Sequence, residues 1–307
     1  MSLKDKLEII LITYNRAEFV KRTFNQFFYD GSPVADLDFI VQDNNSDDNT
    51  EEVVKEFAKT HPNVKYVKNR YNLGLSGTIA RAMERASKEY AWIIGDDDLY
   101  DFSNWQEIET AINNNEKMIC HARYAIPEEQ KDNPAYQLLQ LTFITGGIYS
   151  TSLFNDTTIR NAYDNIYTLF PHIPPIIKLL NDGGKIYVTS NAISDNGMNT
   201  DTDCSFTRGI KKSEELYDRT REMNWVLGYA NIISLLNDKK LQQECMKVSV
   251  PFIYSSWDEF YNGMSAQYIR TGKLNYFMEI YKVLPDEHKK HFSTEYLKIN
   301  FMMSLMQ

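Results

Sequence analysis

Over the first 121 residues, short apolar runs alternate with stretches whose apolar positions recur every three or four residues. Leu7–Thr13 (LEIILIT) is an apolar run rich in Ile and Leu that reads as a strand. It breaks at Tyr14-Asn15-Arg16. Ala17–Tyr29 then puts Phe19, Val20, Thr23, Phe24, Phe27 and Phe28 at helical spacing. Asp38–Val41 predicts a second strand, running into Gln42-Asp43-Asn44-Asn45-Ser46-Asp47-Asp48, where a short polar side chain can cap a helix over Thr50–Thr60. Val64–Val67 predicts a third strand, and Asn72-Leu73-Gly74-Leu75-Ser76-Gly77 leads into a helix over Thr78–Ser87. Tyr90–Ile94 predicts a fourth strand, ending in Gly95-Asp96-Asp97-Asp98; a helix over Trp105–Asn113 and a short strand Met118–Cys120 follow.

This alternation with short connections implies an α/β fold with a doubly wound, mostly parallel, Rossmann-like sheet. Ligands of such sheets sit beyond the carboxyl ends of the strands. Thr13–Arg16, Asp43–Ser46 and Gly95–Asp98 all lie at those ends. Farther on, Pro127–Gln140 reads as a loop or surface helix, and Leu141–Tyr149 as a strand interrupted by Gly146-Gly147, at a bulge or a close backbone approach. Ile173–Asn181 predicts a helix with prolines in its first turn, and Lys185–Thr189 a further strand. Helical patterns then cover 213–237, 239–249, 257–270, 273–283 and 292–305. The expected organisation is a sheet domain over 1–205, with a donor half at 1–121 and an acceptor half at 122–205. A C-terminal helical appendage would fill 206–307.

Charge modifies this picture. The net charge of −9 and the lack of a basic tract argue against nucleic-acid binding. The charge is uneven: residues 1–205 carry 19 Lys and Arg against 30 Asp and Glu, and residues 206–307 carry 14 against 12. An acidic front half suits a cation more readily than an unassisted phosphate. Cys120, Cys204 and Cys245 are too scattered for a disulfide framework or zinc site, which points to a reducing compartment. The charged start lacks a signal-peptide core and no apolar run has transmembrane length, so the expectation is a cytoplasmic protein, with contact at the inner face of the membrane left open. Phe252, Tyr254, Trp257, Phe260 and Tyr261 could serve such a contact or an acceptor platform; ordinary packing, on the sheet domain or in a homo-oligomer through the C-terminal helices, is the alternative.

Three adjacent aspartates repel one another, and a divalent cation would relieve that repulsion. Hard Mg²⁺ or Mn²⁺ takes carboxylate oxygen together with substrate phosphate. A solvated turn capping the next helix is the competing reading of Gly95–Asp98.

Taken in order, Ile12-Thr13-Tyr14-Asn15-Arg16, Val41 to Thr50, Asn72-Leu73-Gly74 with Ala80-Arg81, and Gly95-Asp96-Asp97-Asp98 resemble the motifs of family 2 glycosyltransferases of the GT-A fold. The likeness covers about the first hundred residues and fades afterwards. It implies a nucleotide-sugar site, with a UDP- or dTDP-sugar as donor, and a glycan or lipid-linked glycan as acceptor. By this resemblance Thr13, Tyr14, Arg16 and Asn44 line the base pocket, with Asp43 a structural or orienting neighbour. Family members commonly carry Asp at the Asn44 position, so the base identity stays open. Asn72 and Gly74 belong to the donor site. Arg81 either meets the phosphates or is a surface arginine. Asp96 meets the ribose, Asp97 holds the metal and Asp98 supports it. The family's reaction is inverting and needs one general base. No clean acidic motif supplies it, which leaves Asp164, His172 and Asp195. A nucleotidyltransferase on a related sheet and a non-catalytic sugar-nucleotide or glycan-binding protein are the alternatives. The first would want a Gly-rich, Lys- or Arg-containing loop that Ile12–Arg16 does not provide.

Overall fold

The computed structural model describes residues 2–121, 127–195, 225–254, 256–262 and 274–291. Its strands are β1 (Leu7–Thr13), β2 (Asp38–Asp43), β3 (Val64–Lys68), β4 (Tyr90–Gly95), β5 (Leu99–Tyr100), β6 (Met118–Cys120), β7 (Gly147–Ser150), β8 (Tyr187–Val188) and β9 (Ser194–Asp195). Helices α1 (Leu3–Lys6), α2 (Ala17–Phe27), α3 (Thr50–Ala58), α4 (Gly74–Arg85), α5 (Trp105–Asn113), α6 (Pro134–Leu141), α7 (Asp156–Asp164) and α8 (Pro174–Asn181) connect them. The main sheet has seven strands in the order β3-β2-β1-β4-β7-β6-β8; β5 and β9 form a separate two-stranded ribbon.

All seven residues of β1 are buried. Leu7, Ile9 and Leu11 face the aromatic layer of Phe24, Phe27, Phe39, Trp92 and Trp105, while Ile10 and Ile12 face Ile79, Met83 and Ile93. Alternate side chains of one strand therefore feed two cores, one under α2, α3 and α5 and the other under α4 and α7. This is why the run is apolar apart from Glu8 and the final Thr13, and it makes the sheet doubly wound. The register matters for function. β1 pairs in parallel with β2, Thr13 opposite Asp43, and with β4, Ile12 opposite Gly95. The polar turns that follow these strands thus emerge along a single edge.

In the later half, β7 runs antiparallel to both β4 and β6, giving a mixed, mostly parallel sheet. Two expectations need correction here. Pro134–Leu141 is not a surface element: Ala135, Leu138 and Leu141 are fully buried. The expected strand Leu141–Tyr149 begins only at Gly147, after a single 3-10 turn at Ile144–Gly146. Gly147 is a packing residue, since a Cβ there would lie 2.6 Å from the Met118 methyl group. The expected strand over Lys185–Thr189 reduces to Tyr187–Val188, and α4 starts four residues earlier than its spacing suggested.

Helices at 225–233, Lys239–Ile253, 257–262 and Leu274–Val283 are present in the C-terminal region. Tyr229, Ile233, Cys245, Met246, Phe260 and Ile280 share one core with Met118, Leu138, Leu141, Ile173 and Ile176. Of the aromatic group, Tyr254, Phe260 and Tyr261 are buried and Phe252 is exposed. Cys120 and Cys245 are buried free thiols. Cys204, the expected helix 292–305 and the outer parts of those at 213–237 and 257–270 lie outside the described residues. Among the described residues no helix is long and apolar enough to cross a membrane.

Candidate active site

The site forms where β1, β2 and β4 end. Asn15 (φ 51°) and Asn45 (φ 71°) take left-handed backbone in the first two turns, a conformation asparagine tolerates better than most residues. The turns are tied together. The Asn15 amide N–H donates to Ser46 Oγ at 2.8 Å, and the Asp47 N–H donates to Asn15 Oδ1 at 2.8 Å. Asp43 is buried and engaged within its own turn, accepting from the Ser46 N–H at 2.9 Å, the Ser46 hydroxyl at 2.6 Å and the Tyr66 hydroxyl at 2.5 Å. Burial and the Asp43 carboxylate together push the Tyr66 phenol well above its ordinary range.

Asn44 is almost fully buried, and its amide is committed to the protein. Its Nδ2 donates to Asn72 Oδ1 at 2.7 Å and to the Gly74 carbonyl at 3.4 Å; its Oδ1 accepts from the Leu73 N–H at 2.9 Å and from Asn69 Nδ2 at 3.2 Å. That is the full capacity of a carboxamide, two donated and two accepted bonds. Asn72 also accepts the Gly74 N–H at 2.9 Å, and Gly74 has φ 70°. Asn44 therefore shapes the loop that opens α4, and its oxygen is turned toward the Leu73 amide.

The three aspartates separate by environment. Asp96 is buried; Thr13 Oγ1 donates to its Oδ2 at 2.6 Å and Arg16 Nη1 to its Oδ1 at 2.9 Å. Burial drives its pKa up to about 6 against the opposing pull of Arg16. Asp97 is the open one, with 35% of its side chain exposed and Oδ2 held by the same Arg16 Nη1 at 2.9 Å. Burial pulls the Arg16 guanidinium down, but the two carboxylates outweigh it and the net shift is upward. Asp98 turns inward, where Thr145 Oγ1 donates to its Oδ2 at 2.5 Å. The same hydroxyl accepts the Gly95 N–H at 3.0 Å, and the Thr145 carbonyl accepts Trp92 Nε1 at 2.8 Å.

The backbone of this loop is held by α2. Thr23 Oγ1, Arg22 Nη2 and Gln26 Nε2 donate to the carbonyls of Asp96, Asp97 and Asp98 at 3.1, 2.8 and 3.1 Å. Arg22, Gln26 and Thr145 are functional supports that sequence reasoning missed. The polar pair at positions 22 and 26, one turn apart on a helix that directly follows the first motif, was the available signal.

Among the described residues no group of three or more His, Cys, Asp or Glu side chains converges as a metal cage. The aspartate loop does contain a cradle. A Cβ built on Gly95 would lie 3.0 Å from Asp98 Oδ2 and 3.3 Å from Asp97 Oδ1, so the absent side chain leaves room beside both carboxylates. Mg²⁺ and Mn²⁺ use one or two carboxylates and complete their shell with phosphate and water, a donor set these residues fit.

Of the base candidates, Asp195 alone is brought to this loop by strand pairing. It lies on β9, exposed, opposite Leu99 of β5, which directly follows the aspartates. His172 is almost fully buried, with Nε2 3.0 Å from the Leu141 carbonyl, and burial lowers its pKa to about 4. It is a core residue. Asp164 is exposed at the end of α7. Arg81 Nη1 pairs with Glu84 at 2.6 Å, and Glu84 also accepts the Tyr163 hydroxyl at 2.6 Å, so in this structure Arg81 serves the α4–α7 contact. Tyr14 is half-buried beside the first turn.

Comparison with known proteins assigns the chain to a sugar-transferring class. Residues 8–178 match the profile of Glycosyl transferase family 2, more than half of the chain, and the chain belongs to this family. A 94-residue stretch is 32% identical to the GalNAc(5)-diNAcBac-PP-undecaprenol beta-1,3-glucosyltransferase of Campylobacter jejuni, and it spans 30% of each protein. The fold is similar to that of TarS 1–349 of S. aureus, crystallised with UDP-GlcNAc, at TM-score 0.63 and 13% identity over 96% of this chain and 88% of that one. It is similar also to the mannosyltransferase PcManGT of Pyrobaculum calidifontis, crystallised with GDP-Man and Mn²⁺, at TM-score 0.54 and 14% identity over 99% and 88%. The sheet is thus the GT-A fold, with a helical C-terminal region.

Proposed function

We propose that the protein is an inverting glycosyltransferase that uses a divalent cation to move a sugar from a nucleoside diphosphate onto a hydroxyl of a glycan or lipid-linked glycan. The observation that carries this reading is the division of labour at the end of β4. One aspartate is buried against Thr13 and Arg16, one is propped from inside by Thr145, and Asp97 between them is left open to solvent beside a side-chain-free glycine. Mn²⁺ or Mg²⁺ would be held by Asp97, with Asp98 behind it. Such a cation supplies electrostatic stabilisation of the leaving diphosphate.

The chain's own residues do the rest. Asp96, fixed by two donors, would meet the ribose. Asp195 stands across the β5–β9 ribbon from the loop and is the group we assign to remove the acceptor proton as the hydroxyl attacks the anomeric carbon. One feature supports the acceptor class: the Campylobacter relative's name describes an undecaprenol-linked glycan. The site faces the cytoplasm, where nucleotide sugars are made, with the acceptor presented from the membrane surface. The test is transfer from a panel of UDP-, dTDP- and GDP-sugars to lipid-linked acceptors, with Mn²⁺ or with chelator. Asp97→Asn should abolish metal-stimulated donor binding. Asp195→Asn should leave donor binding intact and cut kcat by at least a hundredfold, the order expected for a general base. Transfer by Asp195→Asn at the wild-type rate would remove Asp195 from that role, and metal-independent transfer would overturn the wider reading.

A further inference from the structure

Arg16 is shared between two partners with different prospects. Its Nη1 lies 2.9 Å from Asp96 Oδ1 and 2.9 Å from Asp97 Oδ2. Asp96 is buried and also holds Thr13, so its end of the bridge is fixed. Asp97 is open to solvent, and its other oxygen borders the cradle over Gly95. The guanidinium rests 5.0 Å from the centroid of the Phe19 ring and keeps 19% of its side-chain surface exposed, so it is anchored at the rim of the site. A second arginine shares the ring, with the Arg22 guanidinium 5.1 Å from the same centroid and bonded to the Asp97 carbonyl. The open carboxylate therefore already carries a counter-ion. A divalent ion arriving alone meets an anion that is paired and a fixed positive charge a few ångströms away. A nucleoside diphosphate changes that balance, because its oxygens offer the guanidinium an alternative bidentate partner.

We propose that Arg16 is an exchangeable counter-cation that keeps Asp97 from retaining a divalent ion until a donor diphosphate is present. Arg16 is thus a positioning residue whose transfer from Asp97 to the diphosphate makes metal and donor bind as a unit. The proposal rests on the metal-dependent reading of Asp97 given above.

The test is Mn²⁺ binding to the full chain, followed by the spin-resonance signal of free Mn²⁺, with and without UDP or GDP. Wild type should bind Mn²⁺ alone weakly and gain strongly with nucleotide. Arg16→Gln keeps a hydrogen-bond donor but removes the charge. It should tighten binding of Mn²⁺ alone on the order of tenfold, as expected for removing one positive charge at short range, and should shrink the gain from nucleotide. Arg16→Lys keeps the charge and should bind Mn²⁺ alone as weakly as wild type, but without the planar fork it should gain less from nucleotide. Arg16→Met, which keeps the stem over Phe19, replaces Arg16→Gln if that variant is not recovered folded. Equal or weaker binding of Mn²⁺ alone by the neutral variants overturns the proposal while leaving Asp97 as a ligand. Retention of wild-type Mn²⁺–nucleotide binding by Asp97→Asn overturns the underlying reading and the proposal with it.

Discussion

At the residue scale, Asn44 shows how a near-isosteric change alters a role. A carboxylate at this position could accept from Leu73 and Asn69, but it could not donate to Asn72 Oδ1 or the Gly74 carbonyl. Asn44→Asp would therefore face two oxygens with an unpaired charge in a buried place. It should destabilise the fold by about 2–3 kcal/mol and raise KM for UDP-, dTDP- and GDP-sugars alike, as read by thermal unfolding and donor kinetics. An unchanged melting temperature with a switch in base preference would make Asn44 a base reader instead. The same logic separates the three aspartates. Their shared acidity was legible in the sequence, whereas their roles come from Thr13, Arg16 and Thr145, residues distant in the chain that only folding brings to them.

At the scale of elements, the donor half was legible because pattern and environment agree there. A mostly apolar run in β1 is what a strand buried on both faces requires, and the polar turns after β1, β2 and β4 mark the edge where the parallel register aligns them. Legibility failed around Leu141–Gly147. Leu138 and Leu141 bury one face of a helix, and the following segment is recruited sideways by β4 through Thr145. A run of apolar and β-branched residues carries no signal of that recruitment. The start of α4 was missed for a related reason: Asn72-Leu73-Gly74 forms a side-chain turn that passes directly into the helix. Thr145→Val tests the sideways brace. It removes the donor to Asp98 and the acceptor for the Gly95 N–H at nearly constant volume. It should cost about 2–4 kcal/mol of stability and weaken Mn²⁺–nucleotide binding, although Thr145 is not placed to touch either ligand. Calorimetry together with Mn²⁺ titration checks both effects.

At the scale of the whole molecule, the near-neutral helical region shares one core with residues from Met118 to Ile186 of the acidic front half, so acid should unfold these two parts together. Two histidines set part of that response. Burial lowers the pKa of His172 to about 4 and that of His121 to about 3, both below the ordinary value of 6.5. Below that ordinary value the unfolded chain takes up protons that the folded one refuses. Stability contributed by keeping these rings neutral is present above pH 6.5 and is lost as pH falls toward 4 and 3. Denaturant midpoints measured from pH 7.5 to 4.5 should decline, and replacing either ring by a non-titrating one of similar size should flatten the slope. A slope left unchanged by both replacements would contradict the burial described for the two rings. His172 thereby leaves the list of base candidates for a physical reason: a ring sealed in the core is closed to an incoming hydroxyl.

The antiparallel pairing of Leu99 with Asp195 carries one more consequence. In a ribbon, successive side chains emerge on opposite sides, so what aims Asp195 is the parity of the chain leading into it rather than its length. Inserting one alanine before Ser194 would shift the frame and carry the carboxylate to the reverse side; inserting two would bring back its sidedness one step along. The approach to β9 can thus be lengthened or trimmed in steps of two without changing the side of the ribbon from which Asp195 emerges.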